Sequence, residues 1–247
     1  MSRLFSAILR NKLPFVYFHT HIINRAILDR AVAAGRSLEI DISMNDDGSL
    51  YIGHPPSFYT FKCQPLPDNL PLDIVLEAVV STPDMYVVLD CKDVRALPRV
   101  NTIVNQFGID RVIFHSWIDS LSFMPYPSEI VAEPHWLNED LPTHAVRQLQ
   151  RHMLVPIIVS ARGLTVDRLE SEGAQIVNHI ITEAKGWVNA VNFNLPNAQA
   201  PSMSIMHNLL DQGILTWLNI DSVPPQQRPD VYLGMTDHIE QASKLHA

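Results

Sequence analysis

Short apolar runs alternate with longer segments of helical periodicity along the whole chain. Nine runs have the length and composition of buried strands: FVYF at 15, SLEIDI at 37, MYVVLD at 85, RVIFH at 111, EIVAE at 129, VPIIVS at 155, AVNFNL at 190, ILTWLNI at 214 and VYLGMTD at 231. Helix-like stretches lie between most of them, at 24–35, 72–80, 94–108, 138–152 and 204–213. The first should end at Gly35, a residue typical of helix ends. This alternation predicts a mostly parallel sheet.

The alternation continues without a Gly- or Ser-rich linker, so we expect residues 1–247 to form one domain. An α/β fold of the (β/α)8 TIM-barrel type has about this size. Because nine candidate strands exceed the required eight, we expect EIVAE or VPIIVS to lie outside the barrel or not to form a strand. No G-x-G-x-x-G follows the first strand, which disfavours a dinucleotide-binding fold.

The charge and the cysteines exclude several classes of protein. A net charge of −8 argues against a nucleic-acid partner, which requires a basic surface. Cys63 and Cys91 form neither a disulfide framework nor a zinc motif, and we expect two free thiols in a cytoplasmic protein. Residues 1–13 should form an extension or lid packed under the domain. Alternatively, residues 1–12 form an amphipathic helix in weak contact with a membrane surface.

Polar side chains collect where the predicted strands end, and chemistry in TIM barrels takes place at these ends. They are His19 and His21, Glu39 and Asp41, Asp90 and Lys92, His115, and Trp217 with Asn219. Acidic groups at alternate positions of a buried strand are costly unless their charge is compensated, and a divalent cation would compensate it. Two carboxylates on one face of a strand can converge on such a cation.

The segment SLEIDISMNDDGSLYIGHPP, residues 37–56, carries the most specific pattern. Glu39 and Asp41 are followed by Asp46-Asp47-Gly48, which predicts a turn. A short extended run at 50–52 then returns the chain to His54, fifteen residues after Glu39. This order resembles the phospholipase C-like phosphodiesterase superfamily, which includes the glycerophosphodiester phosphodiesterases and the sphingomyelinase D-type enzymes of spider venom.

Later motifs extend the resemblance over nearly the whole chain. Asp90-x-Lys92 resembles the D-x-K of the sphingomyelinase D branch. TWLNI followed by VYLGMTD resembles the W-T-x-N and G-x-x-T-D strands of the glycerophosphodiesterases. The resemblance therefore implies a TIM barrel. The disulfide-bonded loop of the venom enzymes does not carry over, because only Cys63 lies in that region.

The histidines after the first strand depart from the family pattern. The glycerophosphodiesterases usually read H-R-G, whereas this chain reads HTHIINR. His21-x-x-Asn24 is similar to the H-x-x-N start of the sphingomyelinase D branch. The spacing of twenty residues to Glu39 instead favours His19. Both histidines remain candidates.

The resemblance implies that Glu39, Asp41 and Asp90 bind one Mg²⁺ or Ca²⁺, while Lys92 helps to neutralise the phosphate. An all-oxygen ligand set suits a hard cation, and such a cation stabilises the transition state of phosphodiester cleavage. His54 and one of the two early histidines would then transfer protons, because imidazole titrates near neutrality. The expected substrate is a small-molecule or lipid phosphodiester, such as a glycerophosphodiester or a lysophospholipid. Further substrate-binding candidates are Asn24, Arg25, His115, Trp217 and Asn219.

Two alternative functions explain parts of this pattern. A His-x-His pattern such as His19-x-His21 also follows the first strand of the zinc amidohydrolase barrels, where both imidazoles bind zinc. That hypothesis leaves Glu39, Asp41 and His54 unexplained. A barrel of this family could also bind a phosphate ligand without catalysis, since fold alone does not establish activity.

Overall fold

The computed structural model describes residues 3–20, 22–53, 69–91, 93–107, 111–123, 141–153, 155–195 and 199–243. The strands in these ranges are β1 Phe15–His19, β2 Leu38–Met44, β3 Leu50–Ile52, β4 Val87–Cys91, β5 Val112–Ser122, β6 Ile157–Arg162, β7 Ala190–Asn192, β8 Leu215–Asn219 and β9 Leu233–Thr236. The helices are α1 Arg3–Asn11, α2 Arg25–Ala34, α3 Leu72–Ser81, α4 Leu97–Phe107, α5 Thr143–Met153, α6 Val166–Ala184 and α7 Met203–Asp211.

Eight of these strands close into a parallel barrel. Its order is β1-β2-β4-β5-β6-β7-β8-β9, and β9 pairs back with β1. The predicted (β/α)8 fold is therefore confirmed. VPIIVS forms β6 and pairs with both β5 and β7, so this run belongs to the barrel, and of the two expected exceptions only EIVAE remains. EIVAE, at 129–133, lies outside the described residues.

The barrel strands are continuous apolar runs because they bury side chains on both faces. On β2, Leu38, Ile40 and Ile42 belong to the large cluster between the barrel and its helices. The interior is filled by a second cluster drawn from the alternate positions of seven strands and from α1. Its strand members are Phe15, Tyr17, Val88, Ile113, Ile158, Ala190, Leu215 and Leu233.

Helix α1 covers the amino-terminal end of the barrel. Leu4, Phe5 and Ile8 are buried in the interior cluster with Phe15 at the start of β1. The apolar face of the helix is therefore occupied by the barrel. Contact between residues 1–12 and a membrane surface stays a prediction.

The predicted turn and helix end are confirmed. After β2, Gly48 adopts a φ of 83°, and its N–H donates to the Asn45 carbonyl at 3.0 Å. The chain then returns as β3, antiparallel to β2. Helix α2 ends at Gly35, which has a left-handed φ of 60°. Among the described residues, no helix combines the length and the apolar character needed to span a membrane.

Candidate active site

Three buried ionisable side chains meet near the carboxyl ends of β2, β4 and β5. The parallel register sets Asp41 beside Asp90 and Asp90 beside His115, and alternation places Glu39 on the same face as Asp41. One potential ligand atom from each of Glu39, Asp90 and His115 lies within 4.8 Å of the others. His115 Nδ1 is 3.6 Å from Glu39 Oε1 and 3.4 Å from Asp90 Oδ2.

This cluster, formed by Glu39, Asp90 and His115, has the chemistry of a divalent-cation site. Two carboxylates that are only 3% and 6% exposed are costly at this separation unless a positive charge compensates them. Glu39 Oε2 is buried and has no hydrogen-bond partner among the described residues. An imidazole beside carboxylates is a ligand set used by several divalent metals. The three residues therefore fit a divalent cation.

The cluster differs in one member from the predicted ligand set. Glu39 and Asp90 belong to it, but Asp41, although 2% exposed, is not among its three members. The third member is His115, a residue predicted to bind substrate. An all-oxygen set was expected, and the structure brings a nitrogen donor to the same two carboxylates.

Two polar side chains on neighbouring strands orient the His115 ring. Its Nε2 lies 2.8 Å from Ser160 Oγ, and Asn192 Nδ2 donates to the same Oγ at 3.1 Å. Ser160 and Asn192 are register partners on β6 and β7. These contacts leave Nδ1 directed toward Glu39 and Asp90. Ser160 was not predicted as a site residue. The sequence marked it only as a single serine at the end of the apolar run VPIIVS.

His19 stands one strand from the cluster and carries a raised pKa. It is the register partner of Glu39, and its Nδ1 lies 2.9 Å from Asp237 Oδ1. Burial alone lowers the pKa of His19. The charge of Glu39, the hydrogen bond with Asp237 and the charge of Asp41 outweigh burial and raise the pKa above its ordinary value of 6.5. His19 is therefore suited to donate a proton near neutral pH.

Tyr17 lies inside the barrel next to the cluster and was not predicted to belong to the site. Its hydroxyl accepts a hydrogen bond from Trp217 Nε1 and lies close enough to the Glu39 carboxylate for that charge to act on it. Burial, followed by the charge of Glu39, raises the pKa of Tyr17 well above 10, so the phenol stays protonated. The Trp217 ring centroid is 6.0 Å from that of His115. The predicted pocket residue Trp217 thus borders the cluster.

The remaining substrate-binding candidates have other surroundings. Asn24 caps α2, because its Oδ1 accepts the Ile27 N–H at 3.0 Å. Arg25 is the exposed first residue of that helix. Asn219 Oδ1 accepts the Asp221 N–H at 3.0 Å in the turn after β8. Binding of substrate by these three residues stays a prediction.

Three predicted site residues, His21, His54 and Lys92, lie outside the described residues. The chain that leads to His54 does return to β2, because the Gly53 N–H donates to the Asp41 carbonyl at 2.9 Å. The zinc alternative requires His19 and His21 as ligands. In the part of the chain that the structure describes, the three-residue ligand cluster does not include His19.

Comparison with solved structures relates the fold to phosphodiesterases. A protein from Agrobacterium tumefaciens, assigned as a glycerophosphoryl diester phosphodiesterase, superposes with a TM-score of 0.61 at 10% identity, over 92% of this chain and 95% of that one. A glycerophosphodiester phosphodiesterase from Parabacteroides distasonis gives 0.49 at 11%, over 93% and 95%. Oxaloacetate acetylhydrolase gives 0.47 at 12%, over 95% and 78%.

No family model and no curated protein matches the chain by sequence. The Agrobacterium structure therefore supports the resemblance at the level of the fold. The other two matches have TM-scores below 0.5 and add no support. The two proteins share the barrel fold that the motifs implied.

Proposed function

We propose that the protein is a metal-dependent phosphodiesterase that cleaves a glycerophosphodiester or a lysophospholipid-type phosphodiester. One observation carries the proposal: Glu39, Asp90 and His115 form a buried ligand cluster at the carboxyl ends of barrel strands, one strand away from His19. In TIM barrels these strand ends bear the catalytic groups. The motif resemblance and the shared barrel support phosphodiester chemistry.

The three cluster residues would hold one divalent cation. When bound, the cation supplies positive charge to the non-bridging oxygens of the phosphate. Mg²⁺ and Ca²⁺ are the ions that the motifs imply, and the imidazole of His115 adds Mn²⁺ to the candidates. Asp41, close enough for its charge to act on His19, strengthens the negative field around the site.

We assign the two proton transfers to histidines. His19 donates a proton to the leaving oxygen, and the charge of Asp237 beside it favours its protonated form. Asp237 holds the ring through Nδ1, so that Nε2 is the atom that can face substrate. The attacking hydroxyl, from water or from the substrate itself, loses its proton to His54, with His21 as the other candidate.

Turnover of a substrate panel with and without metal tests this proposal. The purified protein is treated with a chelator and assayed on bis(p-nitrophenyl) phosphate, glycerophosphodiesters and lysophospholipids, with Mg²⁺, Ca²⁺ or Mn²⁺ restored. We expect turnover that requires the cation and is lost in Glu39→Gln. Glu172→Gln, the same change on the solvent-exposed side of α6, should behave as the unmodified protein. Phosphorus NMR of the products distinguishes a cyclic phosphate from a hydrolysed one.

Absence of turnover on every substrate with every cation would contradict the proposal. Equal activity in the Glu39→Gln variant would contradict it as well, because the Glu39 carboxylate would then not be needed to hold the required cation.

A further inference from the structure

A carboxylate in the turn after β8 holds the end of β9 through both of its oxygens. Asp221 Oδ1 accepts the hydroxyl proton of Thr236 at 2.8 Å, and its Oδ2 accepts the N–H of Asp237 at 2.7 Å. Thr236 is the last residue of β9 and is fully buried, so its hydroxyl depends on a partner within the protein. Hydrogen bonds to an ionised carboxylate are roughly twice as strong as those between neutral groups. Asp221 therefore fixes the backbone at the carboxyl end of β9.

The turn that carries Asp221 is held by further contacts of its own. The Val223 N–H donates to the Asn219 carbonyl at 3.0 Å, which closes the turn. Arg228 donates to the carbonyl of Ile220 at 2.6 Å and to that of Val223 at 2.8 Å. The side chains of Ile220 and Val223 are buried in a third apolar cluster. The position of Asp221 is therefore set by the turn as well as by its two bonds to β9.

Asp237 connects this turn to the proposed proton donor. Its Oδ1 lies 2.9 Å from His19 Nδ1, although its side chain is 64% exposed. Such an exposed contact by itself contributes little, because water competes for both groups and a mobile side chain loses freedom when it is ordered. Asp221 removes part of that cost, since it fixes the N–H of Asp237 and with it the backbone from which the carboxylate projects. The contact between Asp237 and His19 therefore depends on Asp221.

We propose that Asp221 is a positioning residue for proton transfer at His19. It keeps the Asp237 carboxylate on His19 Nδ1, so that this nitrogen retains its proton. As the bond between phosphorus and the leaving oxygen breaks, the ring then gives its Nε2 proton to that oxygen and becomes neutral. This inference rests on the proposed function, which identifies His19 as the proton donor. It also gives Thr236 a role, because the Thr236 hydroxyl binds Asp221.

Two kinds of leaving group distinguish positioning of the proton donor from a general loss of structure. The alcohol oxygen of a glycerophosphodiester needs a proton when it leaves, whereas p-nitrophenolate is stable enough to leave without one. Asp221→Ala should therefore lower kcat for the glycerophosphodiester by about tenfold or more, a part of the roughly 10²- to 10⁴-fold contribution of a general acid. For bis(p-nitrophenyl) phosphate, kcat should stay within about twofold of that of the unmodified protein.

An aspartate with the same kind of contacts provides a matched control. Asp119 on β5 accepts the N–H of Thr143 at 3.0 Å and also the Thr143 hydroxyl proton, but it fixes the start of α5. Asp119→Ala should lower the stability of the protein and keep the ratio of kcat for the two substrates. Asp221→Asn retains one acceptor oxygen, so its ratio should lie between those of Asp221→Ala and the unmodified protein. This variant carries the test if the alanine variant does not fold.

An equal fall of kcat for both substrates in Asp221→Ala would refute the proposal, because the residue would then act only on the structure. An unchanged kcat for both substrates would refute it as well.

Nitrogen NMR of His19 separates this inference from the proposed function. In the metal-free protein, at a pH above the pKa of His19, the nitrogen chemical shifts report which ring nitrogen carries the proton. We expect the Nδ1–H form to predominate in the unmodified protein and in Asp119→Ala. It should lose its majority in Asp221→Ala, because the Asp237 carboxylate is no longer held on Nδ1.

The NMR outcomes are decisive without any turnover. An Nδ1–H form that persists in Asp221→Ala, or a predominant Nε2–H form in the unmodified protein, refutes the inference whether or not a substrate is cleaved. Loss of the Nδ1–H form in Asp221→Ala, in a protein that cleaves no phosphodiester, would instead refute the phosphodiesterase proposal. The positioning of His19 by Asp221 would then still stand.

Discussion

Replacement of Ser160 by alanine should weaken cation binding although this residue lies outside the three-member ligand cluster. Ser160 Oγ is 2.8 Å from His115 Nε2, and Asn192 supports it from the next strand. For Nδ1 to face a cation, the ring proton must sit on Nε2, where Ser160 Oγ accepts it. The alanine variant removes this acceptor and leaves the tautomer and the orientation of the ring less constrained.

Two effects of the Ser160→Ala change can be estimated. Loss of a partner that orients a metal-binding histidine typically weakens metal affinity about 10- to 100-fold. Ser160 is 1% exposed, so removal of its hydroxyl also leaves buried polar atoms without a partner. This costs roughly 1–3 kcal/mol in the free energy of unfolding. The variant should therefore bind Mn²⁺ or Mg²⁺ more weakly and unfold at lower denaturant concentration.

Calorimetry with each cation and denaturation of the metal-free protein measure the two effects separately. Ser116→Ala is a matched control, because Ser116 is also 1% exposed and its hydroxyl donates to the Cys91 carbonyl at 3.1 Å, outside the cluster. This control should lose stability but keep its metal affinity. The reasoning is refuted if Ser160→Ala binds the cation as tightly as the unmodified protein, or if both variants weaken binding equally.

Two further predictions concern His19 and Tyr17. In the metal-free protein, Asp237→Asn should lower the pKa of His19, measured by the NMR titration of its ring protons, because one acidic neighbour and its hydrogen bond are lost. Since the pKa of His19 is raised in the folded state, its stabilising contribution is present below the unfolded value of about 6.5 and is lost as pH rises through the folded pKa. The difference in the free energy of unfolding between the unmodified protein and Asp237→Asn should therefore become smaller as the pH rises through the folded pKa of His19. A difference that does not change with pH would contradict the role assigned to Asp237. Tyr17→Phe should cost roughly 1–3 kcal/mol in denaturation, because the Trp217 N–H loses its acceptor. Tyr232→Phe, at another buried tyrosine, is the control, and equal losses would argue against a special role for the Tyr17 hydroxyl.

The barrel was predictable because its strands and helices alternate without interruption. The uncertainty over VPIIVS has a physical cause: a strand buried on both faces is a continuous apolar run, and periodicity does not place such a run inside or outside a sheet. Its pairing with β5 and β7 depends on strands far away in the sequence.

The site was predictable where a local pattern marked it. Glu39 and Asp90 stand out as carboxylates in apolar strands, and both belong to the ligand cluster. Ser160 carried no comparable signal, since one polar residue at or near the end of a strand is common. Tyr17 was not identified as a site residue, because it lies among apolar neighbours in the run FVYF.

The sequence by itself determined that acidic and imidazole groups would gather at the carboxyl ends of a parallel barrel, because strand alternation and burial follow from local composition. Only the tertiary structure decided that His115, rather than Asp41, would share the cluster with Glu39 and Asp90. The position of His115 beside Asp90 depends on how far β5 is displaced along β4 when the sheet closes. The displacement results from packing and hydrogen bonding between whole strands, so it is not encoded in any one segment.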